Sequence, residues 1–101
     1  MKSNVSASLI RGNEAIVGDL LFEEDQLVFN SYQGKAQVNY AILPYQDMTD
    51  VKPCKTLGFI PNGFSITMQN DEEFQFVVMG RKEIIKFIRE KAGITGDSPA
   101  T

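Results

Sequence analysis

The residues best suited to chemistry are three consecutive acids, Glu23, Glu24 and Asp25, which interrupt the stretch GDLLFEEDQLVFNSY at residues 18–32. Paired carboxylates act as general acid and base, or hold a cation, when their environments separate their pKa values. Alternating apolar arms flank these acids and predict a hairpin, with the acids at its exposed tip. We therefore expect a solvated turn that keeps the hairpin soluble, rather than a catalytic pair.

Other catalytic residue types are scarce. The chain contains no histidine, which is the usual general base and the commonest metal ligand, so its one cysteine, Cys54, lacks an activating partner. The eight glycines are scattered and form no phosphate-binding loop. We expect no catalytic residue, no metal site and no cofactor, and we expect Cys54 to pack at a strand position.

Composition narrows the class of protein further. Ten basic against thirteen acidic residues give a formal net charge of −3, without the basic excess of a nucleic-acid binder. A single cysteine cannot form an intrachain disulfide and fits a reducing compartment. The sequence contains no run of about 18 apolar residues, the length that is needed to cross a membrane. Its first residues lack the apolar core of a secretory signal. We expect a cytoplasmic domain that binds no nucleic acid.

Alternating apolar and polar residues dominate up to about residue 79 and predict strands. Turn-forming sequences separate these arms, and the sharpest is Pro61-Asn62-Gly63, because proline presets φ while Asn and Gly tolerate the left-handed region. Strands joined by such short connections form an antiparallel meander. The predicted strands are 5–11, 14–22, 26–32, 37–43, 50–59, 64–69 and 73–79.

The period then changes to that of a helix. Ile84, Phe87, Ile88 and Lys91 fall at helical spacing, which predicts a helix over about 81–92. Gly93 is a suitable C-terminal stop. The sequence thus predicts a single domain over 1–93 and a flexible tail over 94–101.

Seven antiparallel strands of this length cannot stay flat, so the sheet should curl into a sandwich or a partly open barrel. The apolar stripe of the helix could plug one end of that barrel, or it could lie across an open sheet face. Seven phenylalanines in so short a chain favour a filled core over a cavity for a small hydrophobic ligand.

Three segments resemble the pleckstrin-homology (PH) superfold, and more closely its GRAM and bacterial PH-like branches. These segments are GDLLFEEDQLVF, ILPYQDMTDV and FSITMQNDEEFQFVVMGRKEIIKFI, in that order. The resemblance covers residues 14–92. It implies a seven-stranded, partly open barrel of two near-orthogonal sheets with a C-terminal helix at one end. It also implies a non-catalytic binding module.

The resemblance further implies a lipid-headgroup site, because PH domains that bind phosphoinositides carry cations on and between their first two strands. The matching positions here offer Arg11, with Glu14 close by, and Lys35 in a later turn. Two cations are few for a polyanionic headgroup. A second basic set lies on the predicted helix, where Glu83 and Glu90 dilute it. Its members are Arg81, Lys82, Lys86 and Arg89, and they suit either an anionic membrane or a solvated helix.

One apolar hairpin tip is a further candidate contact. Leu57, Phe59 and Ile60 surround the predicted Pro-Asn-Gly turn, where a solvent-facing tip would be polar. These apolar residues could be alternate residues of a long hairpin whose side chains face the core. An exposed tip that binds a partner, another subunit or a bilayer interface would also explain them.

From these observations we expect a binding or scaffolding module that acts through protein–protein contacts or self-association, because curled sheets leave edge strands with free backbone groups. The alternative is a peripheral membrane module that binds anionic lipid through Arg11, Lys35 and the apolar tip. We expect no small-molecule substrate.

Overall fold

The computed structural model describes residues 4–33, 36–56 and 60–94. Within these residues, seven β-strands precede one α-helix, and a 3₁₀ turn, Tyr45–Asp47, joins the fourth strand to the fifth. The strands are β1 (Asn4–Arg11), β2 (Glu14–Phe22), β3 (Gln26–Gln33), β4 (Ala36–Pro44), β5 (Met48–Thr56), β6 (Ile60–Met68) and β7 (Glu73–Val78), and the helix is α1 (Arg81–Ala92). Element type, order and number agree with the sequence prediction.

The strands form one continuous antiparallel sheet in the order β4-β3-β2-β1-β7-β6-β5. β1 joins the two halves, because residues Ala7 to Ile10 pair with β7 while the whole strand pairs with β2. β4 and β5 are therefore the two edges, although they follow each other in the chain. The sheet curls into a half-barrel, as predicted from its length.

Alternate side chains of both halves fill the core. Leu9, Leu20 and Phe29 from one half, and Phe64 and Phe76 from the other, are fully buried. The Phe76 ring lies 5.5 Å from that of Phe29 and 5.7 Å from that of Phe64, within the range of favourable aromatic pairs. The core thus spans the half-barrel, as the predicted alternation requires.

The helix packs against β5, β6 and the 3₁₀ turn, so it caps the half-barrel. Ile84 and Ile88 are buried, and the Phe87 ring makes an edge-to-face contact with Phe22 at 5.5 Å. Gly93, at φ +72°, ends the helix with its N–H directed at the carbonyls of Arg89 and Glu90. The predicted apolar stripe and the predicted helix end are both confirmed.

The predicted turn at residues 61–63 is wrong. Pro61 to Gly63 lie inside β6, where Gly63 pairs with Cys54 on one side and with Val77 on the other. Pairing with two neighbouring strands overrides the local turn preference. Proline is tolerated near the start of the strand, where the β5–β6 register shifts between Cys54 and Thr56. β5 ends at Thr56 and β6 begins at Ile60, and both boundaries lie earlier in the chain than predicted.

Candidate binding surfaces

Of the two cations predicted for a lipid headgroup, one lies among the described residues. Arg11 is exposed at the end of β1 and lies opposite Glu14 in the β1–β2 register. Lys35 lies outside the described residues. Among the described residues, this predicted site is therefore represented only by Arg11, which lies opposite the acidic residue Glu14.

The predicted basic face of the helix divides into two pairs. Arg81 and Arg89 are partly buried and donate hydrogen bonds to backbone carbonyls of the sheet: Arg81 Nη1 to Cys54 and Gly63 at 3.1 and 2.9 Å, and Arg89 Nε to Val51 at 2.7 Å. Lys82 and Lys86 are exposed. Two of the four predicted cations thus attach the helix to β5 and β6.

The residues of the predicted apolar tip follow the end of β5 in the chain and reach the start of β6. Leu57 and Phe59 lie outside the described residues. Ile60 begins β6. This tip stays a prediction.

The two edges of the sheet differ in their protection. β5 carries Asp50, Lys52, Pro53 and Lys55, and α1 packs against it. β4 has the sequence AQVNYAILP and carries no charged residue. Charges, prolines and covering elements are the usual protection of sheet edges, so β5, which has all three, is better protected than β4, which has Pro44 at its end but no charge.

An apolar row crosses the outer face of the sheet and reaches the β4 edge. Leu21, Val28 and Ile42 are direct partners in the β2–β3 and β3–β4 registers. Val28 is buried by its neighbours although it does not face the main core, whereas Ile42 at the edge remains 51% exposed. The sequence alone does not show this row, because it depends on the cross-strand register.

A bulge interrupts the β3–β4 pairing next to this row. The register shifts between Phe29 and Asn30, which leaves Tyr40 without a partner in the ladder. Tyr40 remains 41% exposed while its ring contacts that of Phe29 edge-to-face at 6.3 Å. The β4 edge therefore displays Tyr40 and Ile42 as its large exposed side chains among the described residues.

A groove of about 690 Å³ lies between the β2–β3 turn, the 3₁₀ turn and the end of α1. Tyr45 lines it and is only 3% exposed. Burial, with a smaller contribution from the Glu23 carboxylate, raises the pKa of Tyr45 to about 12. The phenol is therefore a neutral hydrogen-bonding group at physiological pH.

A second cavity, of about 310 Å³, separates the end of β4 from the β6–β7 turn. Apolar Ile42, Met68 and Phe74 line it together with the carboxylates of Asp47 and Glu72. It adjoins the exposed side chain of Ile42. We regard it as part of the β4 edge surface.

The described residues offer little for catalysis. They contain no group of three or more acidic, cysteine or histidine side chains placed to hold a metal ion. Burial, and then the carboxylate of Glu73, raise the pKa of the Cys54 thiol, which disfavours the nucleophilic thiolate. Within the described chain, no helix has the length and apolar character needed to cross a membrane.

Comparison with known proteins identifies the type of fold. No protein-family model and no curated protein matches the sequence. Among solved structures, the PH domain of Slm1 in complex with phosphoserine aligns with a TM-score of 0.63 at 12% identity, over 91% of this chain and 92% of that one. The chain has a PH-like fold.

Two further structures support this assignment. The DH/PH fragment of PDZRhoGEF in complex with human RhoA aligns with a TM-score of 0.74 at 13% identity and 94% coverage of this chain. The PH-like chain spans only 29% of that structure. The C-terminal domain of an unknown protein from Leishmania infantum aligns with a TM-score of 0.73 at 13% identity, over 88% of this chain and 80% of that one. The GRAM branch stays a prediction.

Proposed function

We propose that this PH-like chain is a non-catalytic interaction module of the cytoplasm that self-associates through its β4 edge. The observation that carries the proposal is the contrast between the two sheet edges. β5 is charged and packed against α1, while β4 is uncharged over its whole length. A weakly protected edge offers backbone N–H and C=O groups to another strand.

The absence of charge on β4 suits a second copy of the same chain. In a twofold-symmetric, antiparallel β4–β4 pairing, residue i contacts residue j of the other copy and j contacts i, so residues near the symmetry axis meet their own copies. A charge near that axis would therefore meet a like charge, which is destabilising. β4 has none, although the chain as a whole carries a net charge of −3.

The apolar row gives such a pairing a side-chain contact. Ile42 ends the row Leu21–Val28–Ile42 at the edge and is half-exposed. Pairing of two β4 strands would bring two such rows together across the symmetry axis. Burial of exposed apolar surface is the main favourable term in most protein association.

Structures with the same fold bind other proteins and phosphorylated groups. PDZRhoGEF is bound to RhoA, and the Slm1 PH domain is bound to phosphoserine, in the structures compared above. These examples support a binding role for the PH-like chain. They do not select its partner, which is why the proposal depends on the β4 edge.

Sedimentation velocity over about 1 to 200 µM protein tests the proposal directly. The wild-type chain should shift from monomer to dimer, and Ile42→Lys should raise the dimer Kd by at least about tenfold by placing a charge on the edge. Val17→Lys is the matched control, because Val17 is 61% exposed on the outer face but lies on β2. That variant should dimerise like the wild type.

A wild-type chain that stays monomeric at 200 µM would overturn the self-association proposal. Equal weakening by Ile42→Lys and Val17→Lys would also overturn the β4 edge as the interface. Both positions are exposed, so circular dichroism should show an unchanged fold for both variants.

The peripheral-membrane alternative has less support. Arg11 lies opposite Glu14, while Arg81 and Arg89 donate to sheet carbonyls. Co-sedimentation with neutral, anionic and phosphoinositide-containing vesicles at low and physiological salt tests this alternative. We expect no salt-sensitive binding, and such binding, lost in Arg11→Glu, would favour the membrane role instead.

A further inference from the structure

The cavity at the end of β4 has the features of a docking site for side chains of a partner. We call it the β4-end pocket; its volume is about 310 Å³, and it lies between the end of β4, the 3₁₀ turn and the β6–β7 turn. That volume is at the lower end of the range for binding pockets, so it suits one or two side chains. The pocket is lined by one copy of the chain, so it exists whether or not β4 pairs with a second copy.

Part of the β4-end pocket is accessible apolar surface. Ile42 is 51% exposed, and Pro44 and Phe74 are half-buried, whereas Leu43 and Met68 are buried and complete the lining. A ligand would therefore contact the side chains of Ile42, Pro44 and Phe74. Burial of such surface favours the association of an apolar side chain.

Backbone hydrogen bonds hold the walls of the pocket in place. The Gln69 N–H donates to the Asp47 carbonyl at 2.8 Å, which ties the β6–β7 turn to the 3₁₀ turn. Within the β6–β7 turn, the Met68 N–H donates to the Glu72 carbonyl at 2.8 Å, and the Asp71 N–H donates to the Met68 carbonyl at 2.9 Å. The pocket is therefore formed before a ligand binds, which lowers the ordering cost of binding.

The rim of the pocket is acidic. Asp47 and Glu72 line it, and no lysine or arginine of the described residues does so. Asn70 Nδ2 donates to Glu72 Oε1 at 3.0 Å, and the Glu72 N–H donates to Asn70 Oδ1 at 3.0 Å, so this carboxylate is held at the rim. Within the described part of the chain, neither Asp47 nor Glu72 forms an ion pair. The negative potential of the rim therefore favours a partner with a cation beside its apolar group.

We propose that the β4-end pocket binds an extended segment of a partner protein that carries an apolar and a basic side chain two positions apart. The apolar side chain would pack on Ile42, Pro44 and Phe74, and the cation would lie beside Asp47 and Glu72. Side chains at positions i and i+2 of an extended segment point the same way and lie about 7 Å apart, so one segment presents both groups together. The net charge of −3 makes a second copy a poorer match for the acidic rim than a basic partner.

The test is a titration of ¹⁵N-labelled protein with the peptide acetyl-Ala-Arg-Ala-Leu-Ala-Arg-Ala-amide, followed by two-dimensional amide NMR. The protein concentration is one at which the chain sediments as a monomer. Arginine on both sides of the leucine makes the result independent of the direction of the peptide. We expect saturable shifts of the amides of Asp47, Gln69, Glu72 and Phe74.

Two control peptides separate the apolar contact from the charge contact. Alanine in place of leucine removes most of the apolar side chain, and citrulline in place of both arginines keeps their shape and removes their charge. Each replacement should raise the Kd by at least about threefold.

Two variants with the same change of charge separate the pocket from the general field of the protein. Glu72→Gln removes a carboxylate from the rim and should raise the Kd for the peptide by about threefold. Glu73→Gln is the matched control, because Glu73 is the next residue and is also exposed but does not line the pocket. Its Kd should stay within about 1.5-fold of the wild-type value, since exposed charges outside the site are screened.

Several results would overturn the proposal. They are no saturable shift, shifts confined to residues outside the pocket, an unchanged Kd with either control peptide, or equal effects of Glu72→Gln and Glu73→Gln. Neither substitution lies on β4, so both variants should dimerise like the wild type. A chain that stays monomeric but binds the peptide would overturn self-association alone, and a chain that dimerises without binding the peptide would overturn only the pocket.

Discussion

At the scale of single residues, the backbone around Gly18 leaves no room for a side chain. A Cβ atom at this position would lie 2.0 Å from the Asn30 carbonyl oxygen and 3.0 Å from the Phe29 ring. Gly18 pairs with Ser31, next to the bulge in the β3–β4 pairing. The close approach of two strands, and not a turn, explains this glycine in the middle of β2.

Gly18→Ala should therefore lower the free energy of unfolding by about 3 kcal/mol through overpacking against backbone. Gly12→Ala is the comparison, because Gly12 has φ +61° with no atom near its missing Cβ, and it should cost only about 1 kcal/mol. Urea denaturation of both variants measures the difference. A cost for Gly18→Ala no greater than that for Gly12→Ala would contradict this account.

The raised pKa of Tyr45 makes a prediction for stability at high pH. In the unfolded chain the phenol ionises near its ordinary pKa of 10.0, whereas in the folded chain it ionises at about 12. The resulting stabilisation is complete below pH 10 and is lost as the pH rises from 10 to 12. The unfolding free energy of the wild type should fall by on the order of 2 kcal/mol more than that of Tyr45→Phe over this range. Parallel loss of stability in both proteins would contradict it.

At the scale of elements, Arg81 connects the start of α1 to both strands of the β5–β6 hairpin. Its guanidinium donates to carbonyls of Cys54 and Gly63, directly where the β5–β6 register shifts. Arg81→Met would keep most of the apolar stem and leave both carbonyls unpaired. The free energy of unfolding should fall by about 3 kcal/mol.

Lys82→Met is the control for this prediction, because Lys82 is the adjacent helix residue and is exposed. Its effect should stay within about 0.5 kcal/mol of zero. Thermal and urea denaturation can be compared for the two variants. Equal effects would show that Arg81 is a solvated cation, as one interpretation of the sequence had it.

At the scale of the whole molecule, α1 completes a core that the sheet leaves open. Ile84 and Ile88 are buried in it, and Ile85 and Phe87 pack against it. Each such side chain contributes roughly 1.5–3 kcal/mol, so together they match the total stability of a typical domain, about 5–15 kcal/mol. A chain ending at Gly80 should lose its cooperative unfolding transition.

A chain ending at Ile94 should unfold like the full chain, because the predicted domain ends at residue 93. Calorimetry of the two truncated chains checks both expectations. A cooperative transition in the shorter chain would show that the sheet folds without its helix. A destabilised longer chain would show that residues 95–101 belong to the domain.

The sequence by itself determined the number, type and order of the elements. Strand alternation and the helical stripe of Ile84, Phe87 and Ile88 are local patterns, and local patterns can be seen in a chain. The closing glycine of α1 could be predicted for the same reason. The seven Phe residues indicated a filled core before any packing was known.

Only the tertiary structure decided where the surfaces lie. Pro61-Asn62-Gly63 has the local chemistry of a turn, but pairing with β5 and β7 made it strand. β4 and β5 are the two edges because β1 pairs with β7, and these two strands lie far apart in the chain. Likewise, Glu23, Glu24 and Asp25 at the β2–β3 turn are exposed, as predicted, but only the fold brings Tyr45 and the end of α1 beside this turn. Edges and grooves arise from contacts distant in sequence, and no local pattern specifies those contacts.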